Sequence, residues 1–412
     1  MIIGIITARM LGPNGTGHFQ VFTSTQSIIA TVFSFGLGQA SIYYINNKGY
    51  SIQYIINLLI KFYIPLACIT TIGVAYLVYL NSSYFGKLSS TGLILYSIGT
   101  SALLFTTSLR AILLADLKVV KTQIVQYVSQ IFILIAVLTL FILRLNLSVN
   151  ILLIIYSIGT MISAIWLLGY FRKSFNRKLK FDWLIFKPLC KLGVTMSTSN
   201  IASIFFLSSP VYALTWFYSN GFTDAGLYSR ALSIMTIATF TVQSVGPLLY
   251  SKMSSSSLKD KIFQARLSAH SFFIFNFILF LIILVLAPFL ISILYGFAFS
   301  DATNYLRLLA ITLLFNGIIT VGTNLLSSDG LAINVVTSLC IGVLIFWVSQ
   351  FIVIIFKTPE LVCGSVILAN LATGICLAVQ TKIHFGITLA DYFPTRVSDY
   401  ITVFNLIYRG LK

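Results

Sequence analysis

Long apolar segments, separated by short charged ones, run along the whole chain. Eleven stretches contain no Asp, Glu, Lys or Arg. They are residues 10–47, 62–86, 88–109, 122–143, 145–171, 192–223, 231–251, 267–300, 308–328, 330–356 and 361–381. Each exceeds the ~18 apolar residues of a candidate membrane span and the ~9–11 residues of a barrel strand. Because backbone polar groups find no hydrogen-bond partner in hydrocarbon, each stretch is predicted to be a transmembrane helix.

The first eight residues, MIIGIITA, form a further apolar segment that ends at Arg9 and the turn-like sequence LGPNGTG. No basic residue precedes it and no small-residue cleavage site follows it, so we do not expect a signal peptide. About eleven helical residues reach ~16 Å, half of a ~30 Å hydrocarbon core. We therefore predict an all-α integral membrane protein with about 12 transmembrane helices, of which the first is clipped and continues upstream of Met1.

The composition agrees with this pattern. Of the 412 residues, 58% are hydrophobic and 8% are charged, whereas a soluble globular domain has ~25% charged residues. Five cysteines are scattered without a CxxC pair, and we expect them to be small buried hydrophobic side chains rather than metal or redox ligands. The sequence contains no P-loop pattern, so ATP-driven pumping would need a separate partner. No cofactor is expected.

The basic residues are distributed unevenly between alternate loops. A formal net charge of +17 is compatible with a nucleic-acid partner, but one set of alternate loops holds 20 of the Lys and Arg residues and the other set holds 6. This asymmetry follows the positive-inside rule for twelve spans with both termini in the cytoplasm. The densest cluster, RKSFNRKLK at 172–180, is predicted to set this topology beside anionic headgroups. The phospholipid bilayer, not nucleic acid, is therefore the expected partner.

The same basic cluster falls between the sixth and seventh spans and divides the chain. We predict an N-terminal six-helix bundle (1–171), a basic cytoplasmic linker (172–186), a C-terminal six-helix bundle (187–381) and a cytoplasmic tail (382–412). Two pairs of similar segments, at offsets of 209 and 212 residues, suggest duplication. They are GTGHFQ at 15–20 with DAGLYS at 224–229, and LLADLK at 113–118 with LLSSDG at 325–330. Two parallel six-helix repeats around a central cavity are typical of transporters.

Four segments, in order along the chain, resemble a known family. They are ARMLGPNGTGHF at 8–19, KPLCKLGVTM at 187–196, NGFTDAGLYSRALSI at 220–234 and GITLADYFPTRVSDY at 386–400. They are similar to the signatures of the polysaccharide-exporting flippases, the O-antigen flippase branch of the multidrug/oligosaccharidyl-lipid/polysaccharide exporter superfamily. The chain departs from its relatives at SSDGLAI, 327–333, where they usually carry a basic residue.

The resemblance implies a V-shaped pair of six-helix bundles that exposes a central cavity to each side of the membrane in turn. The implied cargo is an undecaprenyl-diphosphate-linked oligosaccharide, a repeat unit of an O-antigen or capsule. It would move from the cytoplasmic to the periplasmic leaflet of the bacterial inner membrane, with polysaccharide polymerase machinery as a possible partner.

Such a cargo needs a polar, cationic path through hydrocarbon, and ionisable residues within a span are candidates for it. Lys61 lies about ten ångströms into the third span along a helix, and Arg307 lies within the tenth. Either could bind a diphosphate, Arg307 through bidentate contacts, or could instead extend to the nearer headgroups. Weaker candidates nearer helix ends are Arg9, Arg110, Arg230 and Arg266.

The seventh span contains the polar run TMSTSNIAS, residues 195–203. Its small hydroxyl residues are typical of close helix packing, but Asn200 is a candidate for binding sugar hydroxyls. All nine acidic residues fall in predicted loops, helix ends or the tail, so we expect no carboxylate relay for protons or sodium. We hypothesise instead that an inside-negative membrane potential drives the anionic headgroup outward, at ~2.3 kcal/mol per charge per 100 mV.

Two other classes of function stay open. A membrane polysaccharide polymerase or ligase is an enzyme that needs catalytic groups in sizeable outside loops, and the predicted outside segments are short. A multidrug exporter would be expected to carry an acidic coupling site. An exporter of lipid-linked peptidoglycan precursors would be expected to have two more helices. The residue pattern favours a transporter over an enzyme.

Overall fold

The computed structural model describes residues 2–46, 48–85, 88–115, 119–172, 181–254 and 257–394. All regular secondary structure in these ranges is helical, which confirms the predicted all-α class. Most of the predicted linker (173–180) and the tail from residue 395 onward lie outside the described residues.

The chain divides into two compact units, residues 1–204 and residues 205–412. The helices of the first unit are α1 (Ile2–Phe33), α2 (Leu37–Asn46), α3 (Ile52–Leu80), α4 (Ser82–Phe85), α5 (Ser90–Ala115), α6 (Val119–Ile142), α7 (Val149–Phe171) and the first part of α8 (Trp183–Phe217). Their shared core contains Tyr63, Leu59 and Leu109, each almost fully buried. Small residues bring the helices close, and a Cβ on Gly99 of α5 would lie 2.7 Å from Cβ of Ser157 on α7.

Two breaks shape the first transmembrane segment. At Gly12 the backbone leaves helical geometry (φ 66°, ψ −179°), so α1 consists of residues 2–11 and 13–33. The short first part covers most of the apolar segment at residues 1–8 and ends just before this break. After Phe33, the positive φ values of Phe35 (48°) and Gly36 (60°) turn the chain by 41° into α2. This second break lies directly against the first part of α8.

The second unit continues from the rest of α8. Its other helices are α9 (Gly221–Ser254), α10 (Leu258–Tyr295), α11 (Ala302–Ala310), α12 (Leu313–Ser328), α13 (Ala332–Val353) and α14 (Leu361–Phe385), with 3₁₀ turns at Phe297–Phe299, Ile354–Phe356 and Leu389–Tyr392. Ser257 caps the N-terminus of helix α10, and its hydroxyl accepts from the backbone N–H of Asp260 and donates to the Asp260 carboxylate. Helices α11 and α12 form one bent pair, with an angle of 50° between them.

Eight of these helices are long and apolar enough to cross a membrane, and up to eleven spans result if each of three bent pairs is one span. Large apolar side chains cover much of the outer surface, as at Ile72 (71% exposed) and Val285 (76% exposed). A soluble protein would bury side chains of this kind, whereas a bilayer accommodates them. The protein is therefore a multi-pass membrane protein, as the charge-free stretches predicted.

Candidate functional site

A polar pocket of about 180 Å³ lies in the first unit between α5, α6 and α7. We call it the Arg110 pocket. Its polar lining residues are Thr106, Thr107, Arg110, Gln126, Ser129, Gln130, Tyr156, Thr160 and Ser163. Arg110 is half-buried, and its Nη1 donates to Oε1 of Gln126 at 3.0 Å. The Arg110 pocket thus places one guanidinium beside two side-chain amides.

Most hydroxyl groups of the Arg110 pocket donate hydrogen bonds to backbone carbonyls. Thr106 donates to the carbonyl of Leu103 at 2.8 Å, and Ser163 donates to that of Val125 at 2.9 Å. The guanidinium and the exposed glutamines Gln126 and Gln130 are therefore the groups best able to donate to a ligand. An arginine in this setting suits an anion, because its N–H groups form a fixed fork that matches carboxylate or phosphate oxygens.

A second polar pocket of about 220 Å³, the Asn200 pocket, lies where the α1–α2 break meets α5 and α8. Its polar lining residues are Thr31, Ser34, Gln39, Thr107, Ser108 and Asn200. Thr107 lines both the Asn200 pocket and the Arg110 pocket. The structure therefore brings Arg110 and Asn200, two of the residues predicted from the sequence, to adjacent pockets on α5.

The Asn200 pocket depends on an unusually close contact between two glycines. A Cβ on Gly36 would overlap the carbonyl oxygen of Gly193 in α8, and a Cβ on Gly193 would lie 2.5 Å from the carbonyl oxygen of Phe35. Only residues without side chains permit this approach. Asn200 follows Gly193 by two helical turns on α8, so the contact holds its helix against the pocket.

The second unit contains an uncharged polar pocket of about 170 Å³, which we call the Asn316 pocket. Its lining residues are Phe206, Leu207, Pro210, Tyr228, Leu232, Met235, Thr236, Thr239, Gln243, Leu309, Thr312, Asn316, Phe346, Val366 and Asn370. Three amides come from three different helices, α9, α12 and α14. Among the described lining residues of the three polar pockets, none is a carboxylate, a histidine or a cysteine.

Residues 1–250 match the family model described as polysaccharide biosynthesis protein. The chain belongs to this family. No curated protein matches the sequence. The resemblance of the short motifs to polysaccharide exporters is thus confirmed at the level of this family.

Solved structures show the same fold. An inward-facing MATE family multidrug resistance transporter of the MOP superfamily is 12% identical, with a TM-score of 0.75 and 93% coverage of each chain. The lipid II flippase MurJ, in an inward closed conformation, is 14% identical, with a TM-score of 0.75 and coverage of 99% of this chain and 96% of MurJ. A MOP superfamily transporter from Pyrococcus furiosus is 15% identical, with a TM-score of 0.66 and coverage of 95% and 92%. This family member therefore has the fold of the MOP superfamily.

The other predicted residues lie away from the three pockets. Arg9 is exposed at the end of the short first part of α1, and Lys61 is half-buried in α3, four residues before Pro65. Arg230 is buried (7% exposed) with its guanidinium 5.8 Å from the ring centroid of Tyr295. It follows the pocket residue Tyr228 by two positions, or roughly 200° around α9, so it lies on the opposite face of that helix.

Arg266 and Arg307 contact other segments of the second unit. Arg266 in α10 forms an ion pair with Asp391 at 3.2 Å, on the 3₁₀ turn that follows α14. Exposed Arg307 in α11 donates through Nε to the backbone carbonyl of Leu284 in α10 at 3.3 Å. Both contacts join segments within the second unit.

Several pocket residues were absent from the sequence-based candidates. In the first unit these are Gln126 and Gln130, and in the second unit Gln243, Asn316 and Asn370. The pair Gln126 and Gln130 carried a usable signal, because amides four residues apart share one face of a mainly apolar helix. Asn316 and Asn370 carried none, since only the packing of α12 beside α14 brings them together.

Proposed function

We propose that this protein is a flippase that moves undecaprenyl-diphosphate-linked oligosaccharide repeat units from the cytoplasmic to the periplasmic leaflet of a bacterial inner membrane. It would act by alternating access, without covalent chemistry, and would supply a polysaccharide polymerase on the far side. The units transported would belong to an O-antigen of lipopolysaccharide or to a capsule.

The Arg110 pocket is the observation that carries this proposal. A charged side chain within membrane-spanning helices is costly, and it is expected to serve a ligand or an ion path. Arg110 offers a guanidinium to a diphosphate, and Gln126, Gln130 and Asn200 offer amides to sugar hydroxyls. Membership of a polysaccharide biosynthesis family and the fold shared with a lipid II flippase support the same cargo class.

The chemistry of the pockets also weighs against the alternatives. A site for cationic drugs is expected to contain a carboxylate, and a polymerase or ligase site is expected to contain a carboxylate or histidine as general acid or base. The described lining residues of the three polar pockets include no Asp, Glu, His or Cys. An anionic cargo also suits the membrane potential as driving force, since its outward movement lowers its electrostatic energy.

Complementation tests the proposal. The gene is deleted in cells that carry the sugar-assembly genes native to this protein, and wild type, Arg110→Ala, Arg110→Lys or Arg172→Ala is returned at matched expression. Wild type should restore surface polysaccharide, while Arg110→Ala should reduce it about tenfold or more, as loss of a charge-assisted hydrogen bond implies. Arg110→Lys should retain part of the activity. Arg172 is exposed at the end of α7 and serves as the matched control.

Two outcomes contradict the proposal. If cells without the gene export polysaccharide normally, the protein is not the flippase for that glycan. If Arg110→Ala restores as much polysaccharide as wild type, transport of the diphosphate-linked unit does not depend on the Arg110 pocket.

A further inference from the structure

We propose that the Asn316 pocket of the second unit binds a single uncharged sugar residue of the transported glycan, and that it excludes the diphosphate. This inference rests on the proposed flippase function and assigns a ligand class to a site that the first unit does not share. The Arg110 pocket would then bind the diphosphate, and the Asn316 pocket would bind one sugar residue of the glycan.

Hydrogen bonding within the Asn316 pocket leaves a defined set of free groups. Asn370 donates through Nδ2 to the carbonyl of Val366 at 2.8 Å, so its Oδ1 remains as an acceptor. Gln243 donates through Nε2 to the Thr239 hydroxyl at 3.2 Å, so its Oε1 also remains. Asn316 accepts at Oδ1 from Thr320 at 3.4 Å, while its buried Nδ2 has no partner among the described residues.

One amide donor and two amide acceptors suit a sugar. Each ring hydroxyl donates one hydrogen bond and accepts others, so neighbouring hydroxyls satisfy acceptors and a donor together. A buried amide N–H without a partner costs free energy, and rotation of the Asn316 amide toward the pocket, where a ligand hydroxyl accepts from it, removes that cost. A site with this inventory discriminates strongly against molecules that lack the matching polar groups.

The walls of the Asn316 pocket supply the apolar contact that a sugar ring also needs. Phe206, Tyr228 and Phe346 line it, together with aliphatic side chains. Ligand sites typically combine such walls with a few placed polar groups. A volume of about 170 Å³ is close to the ~150 Å³ of an engineered cavity that binds one benzene ring, so the pocket accommodates one sugar ring rather than an oligosaccharide.

The absence of charge from this lining determines what the pocket rejects. None of its described lining residues is ionisable as a cation or a carboxylate. Arg230 lies on the opposite face of α9, and Arg307 contacts Leu284. A diphosphate in this pocket would lose its hydration without gaining a cation, which is strongly unfavourable. An uncharged sugar residue carries no such penalty.

Binding to two related lipids tests the inference. The purified protein in nanodiscs is titrated with undecaprenyl diphosphate, and separately with the lipid-linked repeat unit extracted from cells that carry the native sugar genes and lack this protein. The variants are Asn316→Leu, Asn370→Leu and Arg110→Ala. Asn276→Leu is the matched control, because Asn276 is a fully buried asparagine of α10 in the same unit that does not line the pocket.

Asn316→Leu and Asn370→Leu should each weaken binding of the glycosylated lipid about tenfold and leave undecaprenyl diphosphate unchanged. Arg110→Ala should weaken binding of both lipids, and Asn276→Leu neither. Thermal unfolding of each variant verifies that it is folded. The inference about the Asn316 pocket would be overturned, and the flippase proposal would not, by either of two results. One is unchanged binding of the glycosylated lipid by both asparagine variants, and the other is an equal loss of affinity for the two lipids. Wild-type protein that binds neither lipid would overturn the flippase proposal as well.

Discussion

Arg307 donates through Nε to the carbonyl oxygen of Leu284, which lies four residues before Pro288 in α10. In an unbroken α-helix this carbonyl would accept from the backbone N–H of residue 288, but proline has none. The guanidinium of α11 thus replaces the hydrogen bond that the proline removes. In hydrocarbon such replacement is needed wherever a proline interrupts a helix.

The relationship between Arg307 and Pro288 predicts a thermodynamic coupling. Arg307→Ala should lower the free energy of unfolding by about 1 kcal/mol, the typical net value of one hydrogen bond. In a Pro288→Ala background, the restored backbone N–H satisfies Leu284, so the same substitution should cost much less. Detergent-solubilised variants can be compared by thermal unfolding in a double-mutant cycle. Equal costs in both backgrounds would refute the coupling.

The contact between Gly36 and Gly193 predicts a steric effect. Gly193→Ala places a Cβ 2.5 Å from the carbonyl oxygen of Phe35, and relief of that overlap should cost about 1–3 kcal/mol. Gly73→Ala is the matched control, since no atom lies within 4 Å of its added Cβ. The control should be neutral, or stabilising by up to about 1 kcal/mol, because alanine favours helix. Similar melting temperatures for the two variants would contradict the close contact.

Asp391 predicts a dependence of stability on pH. Partial burial raises the pKa of its carboxyl, but hydrogen bonds from the Thr388 backbone N–H and hydroxyl, each 2.8 Å, and the charges of Arg266 and His270 lower it by more. The pKa of Asp391 therefore lies below its ordinary value. A carboxyl whose pKa is depressed by folding stabilises the fold above its unfolded pKa of ~3.9 and loses that contribution as pH falls through the folded value.

Wild type should therefore exceed Asp391→Asn in melting temperature near pH 7, and the difference should shrink below about pH 4. Asp301→Asn is the control, because Asp301 is exposed and its carboxylate accepts a long hydrogen bond of 3.4 Å from the Ser300 hydroxyl. A difference that stays constant between pH 7 and pH 3 would rule out a charged Asp391 as the source of stability.

Outward flipping should depend on the membrane potential. Moving one negative charge out of an inside-negative compartment lowers the free energy by ~2.3 kcal/mol per 100 mV. Reconstituted vesicles with an imposed potassium diffusion potential should flip the lipid-linked repeat faster with the potential than without it. Vesicles with valinomycin in the membrane and equal potassium concentrations inside and outside serve as the zero-potential control. Identical rates would eliminate the potential as the driving force.

The sequence predicted the helices well because charge-free runs report the one cost that a bilayer imposes everywhere, the burial of charged groups. The turn at LGPNGTG was also readable, and the structure breaks helical geometry there at Gly12. The bend between α11 and α12 could not be predicted from the sequence, because the two residues at the bend, Ile311 and Thr312, are neither Gly nor Pro. Such a bend depends on packing against neighbouring helices.

The candidate site was predictable only in part. Charge alone selected Arg110, Arg266 and Arg307 alike, whereas the structure places Arg110 in a polar pocket and the other two against Asp391 and Leu284. Telling these roles apart requires knowledge of which helices are neighbours. The same holds for Asn316 and Asn370, which are 54 residues apart in the sequence and line one pocket.

The leaflet in which the lipid-linked repeat accumulates tests the central claim most directly. Spheroplasts that carry the native sugar genes are labelled with radioactive sugar, and the fraction of lipid-linked repeat oxidised by membrane-impermeant periodate is measured. Deletion of this protein should leave the repeat on the inner leaflet, protected from oxidation, and wild type but not Arg110→Ala should restore exposure. An oxidised fraction that is equally high without the protein would contradict the flippase account and favour an enzyme that acts on repeats already outside.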